Sequence, residues 1–491
     1  MIGFLSLMIV TPMLTSNKEL FAIYCTCLSL TTFLSYADLG FISASAKFAS
    51  ESIGKGEKLE AISIIGLSVW FSILAGIIFA LFIGLVAWKP CLVFKDIQAG
   101  ESTRIASNLL MILSFSSLNL IIQRNIIAIF AIRLEEYIPR RISLAFHIVT
   151  IFSVFWFFRA GHQEITGYYL FSQVGLFATT IICIALIIKR YGYKWQDLVR
   201  SVRFNRDIFR RTKRLAFSSL LGMVGWILYY EMDTLFIAKF IGYTSLAYFA
   251  LAATIINFIR GILGVFYSPF QARFNHFIGQ QNENGLKNLY GKLIVLSKPF
   301  ILFTGISIFS LMGFLINAWI GPAYKESVLL CRVLLLIYFF SYFQYPSGML
   351  LFAQSRTSEM NALIICNTII FWVGTLLTYK NLGVLAPVLF KAVTFIVSGI
   401  YHFIQSSKYL DIRIVRFARE SYAPLVIPAL LQVAFLELIK SSLILETGKV
   451  YLLIIVAVGA LATMLAIFAH YLTSKSFMSS LEALSLFRRK G

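Results

Sequence analysis

Apolar segments alternate with short polar stretches along the whole chain, and most of them are about as long as a bilayer is thick. Fourteen can be drawn: Met1–Leu14, Leu20–Ser45, Ile62–Ala87, Ala106–Ile132, Ile142–Phe158, Thr166–Ile188, Leu215–Phe240, Ser245–Pro269, Leu293–Trp319, Ser327–Ala353, Asn361–Tyr379, Val384–Gln405, Tyr422–Leu438 and Val450–Tyr471. Crossing about 30 Å of hydrocarbon takes about 20 apolar residues. Because a backbone in lipid must satisfy its own hydrogen bonds, these segments must be helices. The pattern predicts an all-α polytopic membrane protein with about 14 transmembrane helices.

The composition supports this interpretation. The chain is 59% hydrophobic and only 13% charged, whereas soluble domains carry about 25% charged residues. No stretch is polar enough for a soluble domain, which leaves little room for an enzyme that works in water. The net charge of +21 lies between apolar segments rather than in one patch, which argues against a nucleic-acid partner.

The placement of Lys and Arg predicts the orientation. The loops after even-numbered spans, together with the tail, hold 28 of the 43. Since cytoplasmic loops carry the excess of positive charge, both termini are expected in the cytoplasm. The short first span lacks a basic leading segment and a small-residue cleavage site, so it does not have the pattern of a signal peptide.

The longest predicted cytoplasmic loop runs from Lys189 to Arg214. It carries ten Lys or Arg and two acids, Asp197 and Asp207. Apolar residues recur in it at roughly helical spacing from Trp195 onwards, with arginines between them. This pattern predicts a basic amphipathic helix on the membrane surface. It divides the chain near its middle.

The two halves of the chain resemble each other weakly at one offset. Phe21-Ala22-Ile23-Tyr24 is echoed by Ser245-Leu246-Ala247-Tyr248, 224 positions later, and Gly40 is echoed by Gly264 at the same offset. A shared offset indicates an internal repeat, and parallel repeats are common in transporters. The predicted organisation is an N-terminal six-helix lobe over 1–188, a linker helix over 189–214, a C-terminal six-helix lobe over 215–405, and two further helices with a basic tail over 406–491.

Several of these motifs resemble a known family. Glu19–Tyr24, then Asp38-Leu39-Gly40, and later Asp233–Gly242 followed by Ala247-Tyr248 are similar to the patterns of Wzx-type O-antigen and polysaccharide flippases in the MOP exporter superfamily. Ala22 departs from the pattern, because the family often has Gly there, and the first helix is shorter than the family's.

The resemblance implies a function. Such flippases move undecaprenyl-diphosphate-linked oligosaccharides, such as O-antigen repeat units for lipopolysaccharide biosynthesis, from the inner to the outer leaflet of the bacterial cell inner membrane. It implies alternating access between two lobes and coupling to a proton or sodium gradient. It also implies a polysaccharide polymerase and a chain-length regulator as partners, and no enzymatic activity.

Apart from Lys239 at the end of its span, five cationic residues fall inside the predicted spans. Arg124 and Arg260 are deepest, and Lys391 is about two turns in. A charge at such depth costs about 2.5–3.5 kcal/mol or more unless it faces protein or water. These three are the candidates for binding the substrate diphosphate, because guanidinium and ammonium groups donate charge-assisted hydrogen bonds to phosphate; a structural ion pair is the alternative. Lys298 and Arg332 lie near span ends, where they are expected to reach the headgroups.

Acids are fewer in the spans. Glu231 and Asp233 lie in the middle of the seventh span, and at two residues apart they should point to different helix faces. A carboxylate in a dry site holds a proton more readily than one in water, so both are candidates for ion coupling; a pairing with Arg124 or Arg260 is equally open. The cysteines and histidines show no metal-ligand spacing and no phosphate-loop motif occurs, so neither a metal nor a cofactor is expected.

Two alternatives remain open. One is a multidrug or other lipid exporter of the same superfamily, although deep cations outnumber deep acids. The other is a membrane-embedded polysaccharide polymerase or ligase. The longest predicted outer loop, Trp88–Ile105, is short and carries no cluster of catalytic residues, which counts against the enzyme.

The charge asymmetry gives a testable topology. Reporters fused after Gly491 and near Trp195 should both report a cytoplasmic location, because the surrounding segments are rich in Lys and Arg. Alkaline phosphatase and green fluorescent protein fusions at the same positions check each other. An active phosphatase at either position would contradict the orientation.

Overall fold

Helices form all the regular structure in the described part of this chain. The structure is a computed structural model, and it describes residues 10–14, 17–34, 40–94, 100–133, 135–158, 164–342, 345–354, 356–443 and 446–487. Asp38 and the basic residues at 488–490 lie outside these ranges. The prediction of an all-α polytopic protein is confirmed by the helices and spans described below.

The chain divides into two compact units, Met1–Ala247 and Tyr248–Gly491. Helices of the first are α1 (Lys18–Leu34), α2 (Phe41–Gly54), α3 (Lys58–Trp88), α4 (Glu101–Ala131), α5 (Tyr137–Phe157), α6 (Ile165–Tyr191), α7 (Trp195–Ser201), α8 (Arg206–Trp226) and α9 (Asp233–Phe240). Then come α10 (Tyr243–Gly279), which crosses the division, α11 (Glu283–Ile320), α12 (Glu326–Tyr342), α13 (Tyr345–Ala353), α14 (Thr357–Leu382), α15 (Leu385–Tyr409), α16 (Ile414–Lys440), α17 (Lys449–Thr473) and α18 (Lys475–Phe487).

The number of spans can be compared with the fourteen predicted. Ten helices in the described part are long and apolar enough to cross a bilayer, and the bent pair Ser219–Glu231 and Asp233–Phe240 makes eleven if it is one span. The other three predicted spans are Met1–Leu14, Leu20–Ser45 and Ser327–Ala353. Each of them includes residues outside the described ranges, and their described helices are shorter than a full span.

Helix starts recur along the chain at nearly constant offset. Lys58 and Glu283 begin α3 and α11, and Glu101 and Glu326 begin α4 and α12. In both pairs the second start lies 225 residues after the first. A parallel repeat predicts such a recurrence.

The segment predicted as one linker helix is differently built. Residues 189–214 comprise the end of α6, the short helix α7 and the start of α8, which continues into the next span. The break before α8 is set by Asn205, whose Oδ1 accepts hydrogen bonds from the backbone N–H groups of Asp207 and Ile208 at 3.0 and 3.2 Å. An Asn that caps two N–H groups starts a new helix there.

The short helix α7 packs on α3 through a glycine. A methyl group built on Gly66 would lie 2.1 Å from the backbone oxygen of Ser201. No real Cβ tolerates such a distance, so the two backbones meet only because Gly66 has no side chain.

The helix after the linker belongs to the first unit, although the prediction assigned residues from 215 onwards to the C-terminal lobe. Ala216 of α8 is fully buried against Phe41 and Ala44 of α2. Gly40 has a positive φ of 76°, and a Cβ there would lie 2.4 Å from the Ala216 oxygen. This close approach joins the start of α2 to α8 within the first unit.

A polar clamp joins α3 and α4 inside the first unit. Ser68 Oγ donates to Asn125 Oδ1 at 2.5 Å, and Asn125 Nδ2 donates to Ser72 Oγ at 3.0 Å. The two serines are four residues apart and therefore lie on one face of α3. All three side chains are buried, where an unmade hydrogen bond would be costly.

In the second unit, α16 and α17 pack against the long helix α11. Gln432 Nε2 donates to the Phe303 oxygen at 2.7 Å and to Ser307 Oγ at 2.9 Å. Ser307 Oγ also lies 3.0 Å from Thr463 Oγ1 of α17. Lipid tails cover an apolar helix about as well as another helix does. Buried hydrogen bonds of this kind therefore fix how these three helices pack against one another.

A histidine compensates for a proline in α16. Pro428 has no N–H, so the carbonyl of Pro424, four residues earlier, loses its helical hydrogen bond. His470 Nδ1 of α17 lies 3.1 Å from that oxygen. Since a carbonyl can only accept, Nδ1 carries the hydrogen and donates it. His470 thus satisfies a backbone group that water cannot reach.

This pairing predicts a coupling between two positions. His470→Leu should lower the free energy of unfolding by about 1–3 kcal/mol, because the Pro424 carbonyl is left without a donor. In a Pro428→Ala background the cost should be much smaller, since the new alanine supplies the missing N–H. Thermal unfolding in detergent measures both. Pro299→Ala in α11 is the control background, because the N–H that it adds cannot reach the Pro424 carbonyl. In that background His470→Leu should lower the free energy of unfolding by the same amount as in the wild type.

Candidate functional site

The predicted acid pair lies at a break in a helix. Residues Ile227–Glu231 form a π-helical turn between α8 and α9, and the chain bends there by 46°. Met232 N–H donates to the Ile227 oxygen at 3.2 Å, five residues back. Glu231 ends the turn and Asp233 begins α9. The pair therefore flanks the break rather than lying on one regular helix as predicted.

Asp233 is the better enclosed of the two acids. It is 4% exposed, and its Oδ1 accepts a hydrogen bond from the Thr234 backbone N–H at 2.8 Å. The first turn of a helix carries free N–H groups and a partial positive charge, which stabilise a carboxylate at this position. Single π turns inside helices occur frequently at functional sites.

Aromatic rings pack around the same turn. The Trp226 and Tyr230 rings stack with centroids 4.2 Å apart, and Trp226 meets the edge of Tyr229 at 5.6 Å. Tyr229 and Tyr230 are buried. The break is thus enclosed by side chains of its own segment. Helix α1 packs against both this turn and α9.

The predicted cations lie on three different helices. Arg124 is partly buried on α4, next to Asn125 of the polar clamp. Arg260 is partly buried near the middle of α10, where it interacts electrostatically with Tyr345. Tyr345 in turn stacks on Tyr267 with centroids 5.1 Å apart. Arg260 therefore lies within electrostatic range of one ring of this stacked pair.

Lys391 lies on α15 and is 4% exposed. Helix α15 packs against α12 and α14, and Asn367 of α14 donates to Ser398 of α15 at 2.7 Å. Lys391 thus faces protein rather than lipid. Among the five predicted site residues, the structure brings the two acids together at one break, while each cation lies on a separate helix.

Another buried cation, Lys298, lies in the second unit. The sequence predicts that it reaches the headgroup layer. Lys298 is 4% exposed, so its ammonium group is covered by neighbouring side chains rather than exposed at the helix surface. Its Nζ lies 4.4 Å from the centroid of the Tyr422 ring and 5.0 Å from that of Phe417. Among the described residues no hydrogen-bond acceptor reaches this Nζ.

Lys298 lines a cavity of about 240 Å³ between α11, α15 and α16. Its lining is apolar apart from this lysine, Tyr422 and Ser406: Ile294, Lys298, Ile396, Gly399, Ile400, Phe403, Ser406, Phe417 and Tyr422. A second, almost wholly apolar groove of about 290 Å³ adjoins it at Tyr422, between α11 and α16, and is lined by Leu302, Tyr422, Leu425, Val426, Ala429, Leu430 and Val433.

Ser406 is already engaged within the protein. Its Oγ donates to the His402 oxygen at 2.7 Å and lies 2.5 Å from the Tyr290 hydroxyl. The cavity therefore contains one buried charge with no anionic partner among the side chains that line it. Such an arrangement can hold a single negative charge at the edge of an apolar groove.

Outside the membrane, one ion pair ties the ends of α4 and α6. Arg190 donates to both oxygens of Glu135 at 2.6 and 3.0 Å, and the Tyr191 hydroxyl donates to Oε2 at 2.6 Å. The hydrogen bonds from Arg190, and then those from Tyr191, hold the pKa of Glu135 below its usual value. Such an exposed pair contributes little stability, so this cluster is a minor contact between these two segments.

Solved structures share the fold of this chain. No protein-family model matches the chain, and no curated protein sequence matches it significantly. Among solved structures, an inward-facing multidrug resistance MATE family transporter of the MOP superfamily is 15% identical, with a TM-score of 0.62 over 80% of this chain and 91% of its own.

Two other structures are similar. The lipid II flippase MurJ in an inward closed conformation is 16% identical, with a TM-score of 0.58 over 93% of this chain and 98% of its own. A MOP superfamily transporter from Pyrococcus furiosus, described as having a binding pocket of reverse polarity, is 15% identical, with a TM-score of 0.58 over 83% and 92%. The structural neighbours are thus MOP-superfamily transporters, and the predicted exporter-like fold is confirmed.

The lone charge of Lys298 gives a stability prediction. Lys298→Met should raise the free energy of unfolding in lipid-free detergent by about 1–4 kcal/mol, because it removes a buried charge and keeps the packing volume. Chemical denaturation followed by tryptophan fluorescence measures this. Lys292→Met, a partly exposed position on the same helix, is the matched control and should change stability by less than about 0.5 kcal/mol. Destabilisation by Lys298→Met would contradict the argument.

Proposed function

We propose that this protein is a flippase that moves a lipid-linked oligosaccharide from the predicted cytoplasmic leaflet to the outer leaflet by alternating access. The observation that carries the proposal is the extent of the structural likeness. The match to the lipid II flippase covers 93% of this chain, whereas that to the first MATE transporter covers 80%. A flippase architecture therefore accounts for a stretch of the chain that the drug exporter architecture leaves out.

The charge of the membrane-embedded residues supports an anionic substrate. Arg124, Arg260 and Lys391 offer three cations within the apolar helices, and a substrate carried on undecaprenyl diphosphate has two phosphates for them to bind. Arg suits this task because its planar fork donates two parallel hydrogen bonds to phosphate oxygens. A cationic drug would need acids at such positions instead.

The break between α8 and α9 is the proposed ion-coupling site. Asp233 is buried at the start of a half-helix and Glu231 is next to it across the bend. Half-helices and acids at membrane depth are the usual means by which transporters bind coupling ions. Protonation or ion binding there would alter the charge at the hinge between two helix segments.

The biological setting belongs to the same proposal. The chain would lie in the bacterial cell inner membrane with both termini in the cytoplasm. It would supply its substrate to O-antigen or similar polysaccharide assembly, beside a polymerase and a chain-length regulator.

Multidrug export is the second candidate. It is favoured by the MATE transporter, whose TM-score of 0.62 exceeds the 0.58 of the lipid II flippase. The two candidates differ in the charge of the substrate, so transport assays with an anionic lipid and a cationic dye distinguish them.

The experiment is a flipping assay in vesicles. The purified chain is reconstituted with a fluorescent polyprenyl-diphosphate-linked oligosaccharide, and a membrane-impermeant quencher reports the leaflet. The double variant Arg124→Ala/Arg260→Ala should slow flipping by at least about tenfold, because each lost charge-assisted hydrogen bond is worth about 1.5–3 kcal/mol. Lys at both positions should restore part of the rate, since it keeps the charge without the fork.

Matched controls come from the same helices. Arg104 on α4 and Arg273 on α10 are exposed, so the double variant Arg104→Ala/Arg273→Ala removes equal charge and should flip normally. Full flipping by the Arg124/Arg260 variant would end the role of these arginines. Efflux of a cationic dye by the wild type, with no flipping of the lipid, would favour the drug exporter.

A further inference from the structure

We propose that the Lys298 cavity and the adjoining groove bind one anionic phospholipid, with its phosphodiester at Lys298 Nζ and one acyl chain along α16. This site is separate from the substrate of the proposed flippase. It lies entirely within the second unit, and every residue that forms it belongs to α11, α15 or α16.

The first step is the charge. A buried ammonium group without an acceptor is costly at membrane depth. Tyr422 and Phe417 offer their ring faces at 4.4 and 5.0 Å, and such contacts attract a desolvated cation. None of the residues that line the cavity is an acid, so the remaining N–H groups point to an anion supplied from outside the chain.

The second step is the number of charges. One lysine complements one negative charge, which is that of a phosphodiester. A diphosphate carries more, and the Ser406 hydroxyl in the same lining is already bonded to Tyr290 and to the His402 oxygen. A cavity of about 240 Å³ is also smaller than the usual range of about 300–1,000 Å³ for drug-sized ligands. It suits a headgroup rather than an oligosaccharide.

The third step is access from the lipid. Ile396 and Ile400 line the cavity and are 42% and 57% exposed. Val426 and Leu430 line the groove and are 53% and 64% exposed. Apolar side chains so exposed on membrane helices face acyl chains. A lipid can therefore enter from the side.

The fourth step is length and depth. From Tyr422 to Val433 the groove follows about eleven residues of α16, which is about 16 Å of helix. One leaflet contributes about half of the roughly 30 Å hydrocarbon thickness, so the groove matches one acyl chain. Tyr422 is near the end of α16 that is predicted to be cytoplasmic, which places the headgroup in the inner leaflet, where anionic lipids and basic loops meet. A free phosphate could bind at Lys298 but would not fill the apolar groove, whereas a phospholipid would fill both.

The test is lipid binding to the purified full-length protein, followed by native mass spectrometry after delipidation. Phosphatidylglycerol, phosphatidylcholine and diacylglycerol of matched chains are titrated in turn, with and without excess inorganic phosphate. One phosphatidylglycerol should bind tightest, diacylglycerol should bind least, and phosphate should compete poorly. Lys298→Met should weaken phosphatidylglycerol binding at least about tenfold, the value of one charge-assisted hydrogen bond.

Two further variants distinguish binding in the cavity from a general effect of positive charge. Gly399→Leu leaves Lys298 in place but puts a side chain into the cavity, so it should also weaken binding. Lys292→Met removes one charge from the same helix outside the cavity and should leave binding unchanged. Equal loss in Lys292→Met, or no loss in either cavity variant, would overturn the proposal.

The source of the phosphate is tested separately. If polyprenyl diphosphate binds through Lys298 and phosphatidylglycerol does not, the site belongs to the transported lipid and the proposal of a phospholipid is wrong. Because the readout is binding rather than flipping, a failure of the proposed flippase activity would leave this result unaffected.

Discussion

Backbone hydrogen bonding without water is the constraint on which the structure depends. A helix in lipid has no solvent to satisfy a freed carbonyl, so a neighbouring helix must supply the donor. His470 donates to the carbonyl that Pro428 leaves free. Gln432 adds a side-chain hydrogen bond to the carbonyl of Phe303. Both donors act between α11, α16 and α17, so these hydrogen bonds also hold those helices together.

The same constraint allows a bend where function needs one. The π turn before α9 keeps its backbone bonded at a spacing of five residues, so the helix changes direction by 46° without exposing many polar groups. Its acids come at the end of the turn and the start of the next helix. In a regular helix Glu231 and Asp233 would point to different faces of the same helix. The break gives each of them its own environment.

The buried charged side chains differ in the groups that stabilise them. Asp233 is stabilised by a backbone N–H at the start of its helix, and Arg260 lies beside Tyr345. Lys298 has only aromatic faces among the described residues. A group that costs free energy and is still buried among well-packed helices is more informative about ligands than one whose partners are all internal.

Much of the fold was predictable from the sequence, and less of the candidate site. Long apolar runs dictate helices, and the offset between Tyr24 and Tyr248 anticipated the recurrence of helix starts. The linker was predicted as one helix because its apolar spacing is helical throughout; the side chain of Asn205 overrides that spacing by capping a new helix. The burial of Lys298 was not predictable along one helix. Its surroundings come from Phe417 and Tyr422, more than a hundred residues away, and no local pattern records which helices cover a given face.

Gly66 shows what such contacts mean for the evolution of the chain. In the sequence it is one small residue in an apolar helix, where alanine would normally stabilise the helix more than glycine does. The Ser201 oxygen occupies the space that its side chain would need. A single-nucleotide change from glycine to alanine or serine would force α7 away from α3, so this position has no room for a side chain. Lipid-facing neighbours such as Leu74 and Leu81, 47% and 65% exposed, can exchange freely among apolar residues. On this helix, contact with another backbone restricts the residue type more than contact with lipid does.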